Sequence, residues 1–502
     1  MKKTLLTVLL MFISATITLG QEEWELPKSW QERDLRPIEK VEMLSELTKD
    51  TIDKLTKENE DIGGILRIVD YNIDNSGQWD TLKDGSLLWR FAVCSPKASE
   101  TSVLFNKFSI PYCAKVYVYG YKDMRNGVMY QWCSNILDDS YNEKLKKWDY
   151  MTSSYIQTDT LVIEYYIPPH TKDKGCLSIY RVGHMFSYRE SGYIDVNYIG
   201  KSGNCQVNIN CVEGYDWQIE KRSIAKMVIT NSNTNQLSRG TGFLINNIKN
   251  DFKPYFLTAN HNISKYTETE LANITFLWNY ESKECDETVY DTSLIKNTTG
   301  ATLLASSYDS DFALLELLED PKNKEGVNPY YLGWDNSGAA EEGGVCIHHP
   351  KGDLKKIATY ETTPVTSNCY DATYQGYYYN NNNFWKIQFI PTISGHSVTE
   401  GGSSGSPIIN KNRRVFGQLY GAGICSDKNC DDPSQDIANY GKFSVSWDNE
   451  ADTSKQLKYW LDPNNTNVSV CDGTEYFPCL VGKSPFLTNR IITDNVSINT
   501  PI

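Results

Sequence analysis

The chain has 502 residues, 49 basic against 63 acidic side chains, a formal net charge of −14, and thirteen cysteines. An acidic balance of this size excludes a phosphate backbone as the natural partner, because nucleic-acid binding requires a basic face. The length allows roughly three units of about 150 residues, and the cysteine content suits an oxidising compartment, with at least one thiol left over or shared between molecules.

Lys2 and Lys3 precede an apolar run from Leu5 to Ile17, followed by small residues at Thr18 and Gly20. This is the order of a signal peptide over residues 1–20 with a cut before Gln21, not of a membrane span. No later run approaches the roughly 20 apolar residues that a membrane helix requires. The expected product is therefore exported, to the outside or the cell envelope. Val41, Leu44, Leu47, Ile52 and Leu55 recur at helical spacing, which predicts a helix within residues 37–61 ended by Gly63-Gly64. From Ile65 to about Tyr198 the pattern changes to short runs rich in β-branched and aromatic residues, Leu87–Val93, Lys115–Tyr119 and Thr160–Ile167. They predict a β-sandwich-like domain, with Cys94, Cys113, Cys133 and Cys176 available as internal staples. His170 and His184 lie in this domain but join no chemical constellation. The polar stretch Tyr193–Asn204 predicts a boundary, and the many short strands beyond it predict a barrel or sandwich. Ser454–Leu461 fits a single helix, and residues 466–502, with Cys471 and Cys479, form a tail without a functional pattern.

Three stretches carry chemistry. Residues 401–407 read GGSSGSP between two strand-like runs, Trp385–Ile390 and Val415–Leu419. Glycines flanking a serine serve either a flexible loop or a tight turn that exposes a hydroxyl and its neighbouring N–H groups. A serine hydroxyl becomes a nucleophile only when a base takes its proton and N–H groups stabilise the oxyanion. With six histidines in the chain, candidates for that base are few. Tyr255–His261 is an apolar strand running into His261, a position that favours a working imidazole over a core one. Asp311 immediately precedes the apolar run Phe312–Leu315, where a buried carboxylate needs a partner such as His261; Asp309 is the competing carboxylate.

TANH at 258–261, DFALL at 311–315 and GSSGSP at 402–407, in this order, resemble the chymotrypsin-like serine proteases, and the bacterial lysyl endopeptidase family in particular. SGNC at 202–205, TGFLINN at 241–247, LWNY at 277–280, IHHP at 347–350, GQL at 417–419 and WLDP at 460–463 look like landmarks of that family, and residues 87–119 look like its propeptide. The resemblance implies a mainly β architecture, a chymotrypsin-like double β-barrel over residues 202–465 preceded by a propeptide over 21–201 that is cut after Lys201. It assigns Ser404 as nucleophile, His261 as base, Asp311 as the group that orients it, and the N–H groups of Gly402 and Ser404 as oxyanion hole. Gln418, Leu419, Tyr420 and Gly421 are expected to bind the substrate backbone. The implied disulfides are Cys211–Cys285, and Cys205 with Cys425 or alternatively Cys430.

The departures from the family pattern are specific. The position after the base is Asn262 instead of cysteine, and its usual partner position, Gly240 or Arg239, is not cysteine either. Ser403 stands where trypsin-type zymogens keep an aspartate for the new amino terminus, and Tyr420 replaces an auxiliary histidine. The trypsin-type specificity position is Val398, which leaves Asp436 as the expected carboxylate of a lysine pocket, although a gapless register falls on Ala438. His348 and His349 are adjacent on a strand and point to opposite faces, so no metal or other cofactor is expected. The Tyr- and Asn-rich stretch Tyr374–Trp385 is either a polar loop or a shelter for the substrate side chain. The expected function is a secreted serine endopeptidase, monomeric, acting on proteins or peptides, with preference for lysine before the cut. The competing readings are an inactive protease-fold binding protein and an adhesin.

Overall fold

The structure, a computed structural model, describes residues 26–476 apart from 33, 59–61, 122–128, 134–150, 154, 187–201, 286–293, 368–372, 375–376, 379–381, 422–429 and 431–436. The signal segment, Lys201, Cys425 and Asp436 lie outside the described residues.

The N-terminal part is a sandwich of two sheets. One sheet runs in the order Val41–Met43, Leu87–Cys94, Thr160–Ile167, Lys115–Gly120 and Met129–Cys133. The other contains Ile62–Asn72, Cys176–Phe186, Ala98–Ser109 and Met151–Thr152. Trp89, Phe91, Phe105, Ile163 and Ile179 fill the space between them. Leu87–Cys94 reads as a continuous apolar run because its outer face is also covered, where Ala92 joins Tyr117, Tyr119 and Val162 under Trp30 and Val41. Cys113 and Cys176 remain thiols, so they do not act as the expected staples.

The helix expected within residues 37–61 is shorter. Val41–Met43 is a parallel edge strand, with Val41 opposite Ala92, and only Lys49–Glu58 is helical. Gly63 and Gly64 do not end it; they open the strand Ile62–Asn72. A Cβ at Gly64 would lie 2.3 Å from the His184 carbonyl oxygen, and one at Gly63 would lie 2.5 Å from Arg239 Nε. These glycines mark close approach of neighbouring chain, not a helix stop.

That approach has a larger consequence. The strand Ile62–Asn72 pairs antiparallel with Gln236–Leu244, Ile65 opposite Gln236 and Gly64 opposite Leu237, so the sandwich continues into the sheet of the next domain. There, Ile224–Asn231, Gln236–Leu244, Tyr255–Ala259, Phe312–Leu317 and Ala301–Ser307 enclose Met227, Phe256, Phe276, Trp278 and Leu315. A further sheet, containing Lys356–Tyr360, Gly344–His348, Pro407–Asn410, Arg414–Gly421, Ile437–Lys442 and Phe384–Gln388, encloses Ile387, Ile408, Phe416 and Tyr440. Phe243, Leu257, Phe312, Trp334, Val345, Ile409 and Phe443 pack in the seam between these two β-domains. The fold is thus mainly β, a chymotrypsin-like pair of β-domains preceded by a sandwich.

Cys211 is bonded to Cys285, and Cys205 to Cys430 and not Cys425. The expected helix at 454–461 is split into a 3-10 turn, Thr453–Lys455, and a helix, Leu457–Leu461. The first part of the tail is packed: Cys471 pairs with Trp334, Glu475 with Tyr330, and Asp472 bonds Arg414 at 2.7 Å.

Candidate active site

The strand Tyr255–Ala259 ends in a helical turn, Asn260–Ile263, that carries His261 just where the chain leaves the sheet. The neighbouring strand begins at Phe312, and Asp311 precedes it with φ of 57°, a left-handed backbone that a non-glycine residue adopts only under tertiary constraint. The constraint is visible in the bonds. The Asp311 carbonyl accepts from Asn260 N–H at 2.8 Å, its Oδ1 accepts from the His261 N–H at 2.9 Å, and its Oδ2 lies 2.6 Å from His261 Nδ1. Asp311 is 1% exposed, so the ring nitrogen facing it is assigned as N–H, which leaves Nε2 as the proton acceptor. Asp309, the competing carboxylate, instead accepts from Asn449 Nδ2 at 2.9 Å.

Ser404 comes from the other β-domain. Gly402 and Gly405 flank it with φ of 92° and 86°, and neither has room for a side chain. A Cβ at Gly402 would meet Gly352 N at 2.9 Å, and one at Gly405 would meet Thr258 Oγ1 at 2.2 Å. Both positions therefore require glycine on conformational and steric grounds. The turn is anchored through its carbonyls: Gly402 O accepts from Thr241 Oγ1 at 2.8 Å, and Ser404 O accepts from Thr241 N–H and Asn262 Nδ2, both at 2.9 Å. The N–H groups of Gly402 and Ser404 donate to no acceptor among the described residues, as an oxyanion hole requires.

Ser403 holds the turn from beneath. Its hydroxyl accepts from Glu400 N–H at 3.1 Å and lies 2.8 Å from His348 Nδ1. Burial pushes the His348 imidazole down to about 3, with Lys356 nearby adding to the effect, so the ring is neutral and shares a single hydrogen bond with the Ser403 hydroxyl. His349 faces the other way, its Nδ1 2.9 Å from Asp353 O. The adjacent histidines thus serve separate structural bonds.

The strand Arg414–Gly421 corrects one expectation. Gln418 is fully buried, its backbone lies between Pro407 and Gly441 of the neighbouring strands, and its Nε2 donates to Ser310 O at 2.6 Å, next to Asp311. Leu419 also uses its backbone internally, N–H to Ser406 O at 2.8 Å and carbonyl from Gly405 N–H at 2.9 Å. Tyr420 turns outward and lies edge-on to the His261 ring, centroids 6.0 Å apart, with Phe384 beyond it at 5.4 Å. Of the Tyr- and Asn-rich stretch, the described part shows a short hairpin, Thr373–Tyr374 against Tyr377–Tyr378. Ala438 is a buried strand residue opposite Ile387. Asn262 is the contributor that sequence reasoning noticed only as a missing cysteine. The available signal was Gly240, whose absent side chain makes room for the Asn262 amide.

Ser202 and Gly203 are anchored to the same loops. Ser202 N–H donates to Asp353 Oδ2 at 3.3 Å and Gly203 N–H to Glu400 Oε2 at 2.9 Å. Lys351 pairs with Glu400 at 3.0 Å, and its N–H donates to Gly401 O at 2.6 Å.

Residues 199–439 match the family model of the lysyl endopeptidase C-terminal domain. The lysyl endopeptidase of Pseudomonas aeruginosa is 30% identical over 283 residues, 54% of this chain and 56% of the relative, so the chain spans little more than half the relative's length. Among solved structures, the Rv3671c protease of M. tuberculosis in its active form aligns with a TM-score of 0.30 and 17% identity over 50% of this chain and 89% of that one. The serine endoprotease from Yersinia pestis aligns with a TM-score of 0.28 and 13% identity over 45% of this chain and 62% of that one.

Proposed function

We propose, from the premise that residues 199–439 match the lysyl endopeptidase C-terminal domain, that the protein is an exported serine endopeptidase. The observation that carries this is the two-point grip of Asp311 on His261, joined through the next residue to the Ser404 turn. In the reaction, Ser404 Oγ attacks the scissile carbonyl as its proton passes to His261 Nε2. The resulting oxyanion is held by the N–H groups of Gly402 and Ser404. His261 then gives the proton to the leaving amine, and the acyl-serine ester is hydrolysed by water activated at the same imidazole. Tyr420 and Gly421, whose neighbours Gln418 and Leu419 are engaged internally, are the segment assigned to the substrate backbone. A fluorophosphonate probe tests the proposal. Stoichiometric labelling at Ser404 supports it, whereas an unlabelled folded protein would favour a protease-fold binding protein.

Preference for lysine before the cut belongs to the same proposal, with Asp436 as the carboxylate that receives the ammonium. Ala438, the alternative register, offers no charge. Asp436→Asn is expected to reduce cleavage after lysine by about a hundredfold while sparing leucyl peptides, since a buried unpaired ammonium costs several kcal/mol. Matched lysyl, arginyl and leucyl substrates measure this, and unchanged selectivity would remove Asp436 from the pocket.

The N-terminal sandwich is proposed as a propeptide released by a cut after Lys201. Ser202 and Gly203 are already fixed to Asp353 and Glu400, so the new terminus would begin at an anchored point. The exported protein should then show Ser202 as its first residue by mass spectrometry; a terminus near Gln21 contradicts the removal.

A further inference from the structure

We propose that Asn262 is a positioning residue that fixes the nucleophile turn relative to the base, a role that rests on the serine-peptidase reading above. The two hydrogens of its Nδ2 are both used: one goes to Ser404 O at 2.9 Å, the other to Thr258 Oγ1 at 3.1 Å. Thr258 Oγ1 passes its own hydrogen to Thr241 O at 2.7 Å, and Thr241 N–H returns to Ser404 O at 2.9 Å. The donors and acceptors form a closed circuit that ends on the carbonyl of the nucleophile itself.

Two features separate this from an ordinary buried asparagine. First, Asn262 shares the single helical turn Asn260–Ile263 with His261, while Ser404 belongs to the other β-domain. The amide is therefore a direct strut between the segment carrying the base and the segment carrying the nucleophile. Second, the space around it fits the amide. A Cβ at Gly240 would lie 2.7 Å from Asn262 Nδ2, and Gly405, whose Cβ would meet Thr258 Oγ1, closes the other side. Asn262 is 7% exposed, so water cannot readily replace the bond when it is lost.

A strut of this kind acts on geometry, because reacting groups misplaced by about 1 Å lose on the order of a hundredfold in rate. In Asn262→Asp, which has the same size, the carboxylate presents oxygens to Ser404 O and cannot donate to it. The expected result for Asn262→Asp and Asn262→Ala is a kcat lower by about ten- to a hundredfold with KM changed less than twofold. Fluorophosphonate labelling should slow by a similar factor. Asn246→Asp provides the stability control: Asn246 is also buried and donates to Asn250 Oδ1 at 2.7 Å and Asp472 O at 2.8 Å, away from the site. It should cost comparable thermal stability and leave kcat within twofold. All rates are compared per folded molecule. The inference is overturned if both Asn262 variants retain kcat within twofold, if KM moves as much as kcat, or if neither variant folds, which would make the contact purely structural. Ser404→Ala is measured in parallel. If it remains active the peptidase reading itself fails, whereas an inactive Ser404→Ala beside fully active Asn262 variants removes only this role.

Discussion

Ser404→Ala is expected to give a folded protein with no measurable peptidase activity, a loss of about six orders of magnitude in kcat. The change removes one hydroxyl from Ser404, which is 8% exposed and whose turn is anchored through backbone groups and the Ser403 hydroxyl and not through the Ser404 side chain, so its stability should be within about 0.5 kcal/mol of the parent. His261→Ala should be comparably inactive, and the double variant no worse than either, because groups that act as a unit do not have additive losses. Asp311→Asn is more instructive. It keeps the shape but turns an N–H donor toward His261 Nδ1, which favours the tautomer with its proton on Nε2 and deprives the serine of a base. A fall of about four orders of magnitude is expected. Peptide hydrolysis and fluorophosphonate labelling measure these losses, and thermal melting confirms that each variant folds. Wild-type rates in Ser404→Ala would mean that the histidine–aspartate pair serves something other than this serine.

Much of this candidate site was legible in the sequence because the proposed chemistry demands particular residue types at strand ends. His261 follows an apolar strand, Asp311 precedes one, and glycines flank Ser404, and each of those positions shows a physical requirement in the folded chain. What was not legible depended on partners distant in sequence. The strand of Gln418 alone suggests a backbone contact for substrate, yet that backbone is flanked by Pro407 and Gly441, and its side chain turns inward to Ser310, 108 residues away. Gly63-Gly64 looked like a helix stop because the neighbours that need the space, His184 and Arg239, belong to remote strands. Val41–Met43 carries helical spacing but gains a parallel strand partner in Leu87–Cys94, and tertiary pairing overrides a weak local pattern. The cysteine partner of Cys205 could not be chosen by spacing, since Cys425 and Cys430 are both near the right point of the chain.

The contact between the sandwich and the first β-domain yields the largest stability effect expected. Lys226 is buried at the junction; its Nζ lies 3.5 Å from Glu100 Oε1 and 4.2 Å from the centre of the Tyr280 ring, whose hydroxyl donates to the same Glu100 oxygen at 3.2 Å. Glu100 belongs to the sandwich strand Ala98–Ser109, so the segment proposed to be removed supplies the closest carboxylate to a lysine of the segment that remains. Burial pushes Lys226 below its ordinary value of 10.5, and Glu100 pushes back, with Asp353 contributing less. Glu100→Gln leaves the ammonium without that carboxylate and should cost the uncleaved chain about 3–5 kcal/mol. In the Lys226→Met background the same change should cost much less, because no buried charge is left behind. The pH dependence gives an independent sign. A lysine whose folded value lies below its unfolded one binds more protons when unfolded, so stability rises with pH between the two values. Losing Glu100 lowers the folded value further and widens that window, so the deficit of Glu100→Gln relative to wild type should shrink as pH rises toward 10.5. Thermal or urea unfolding of the four chains in this cycle measures both effects. An equal cost for Glu100→Gln with and without Lys226 would show that Glu100 acts by packing alone. A large coupling would mean that the proposed removal of the sandwich strips a counterion from the β-domain beside the loops of the candidate site, so that domain must bury or neutralise Lys226 anew once it stands alone.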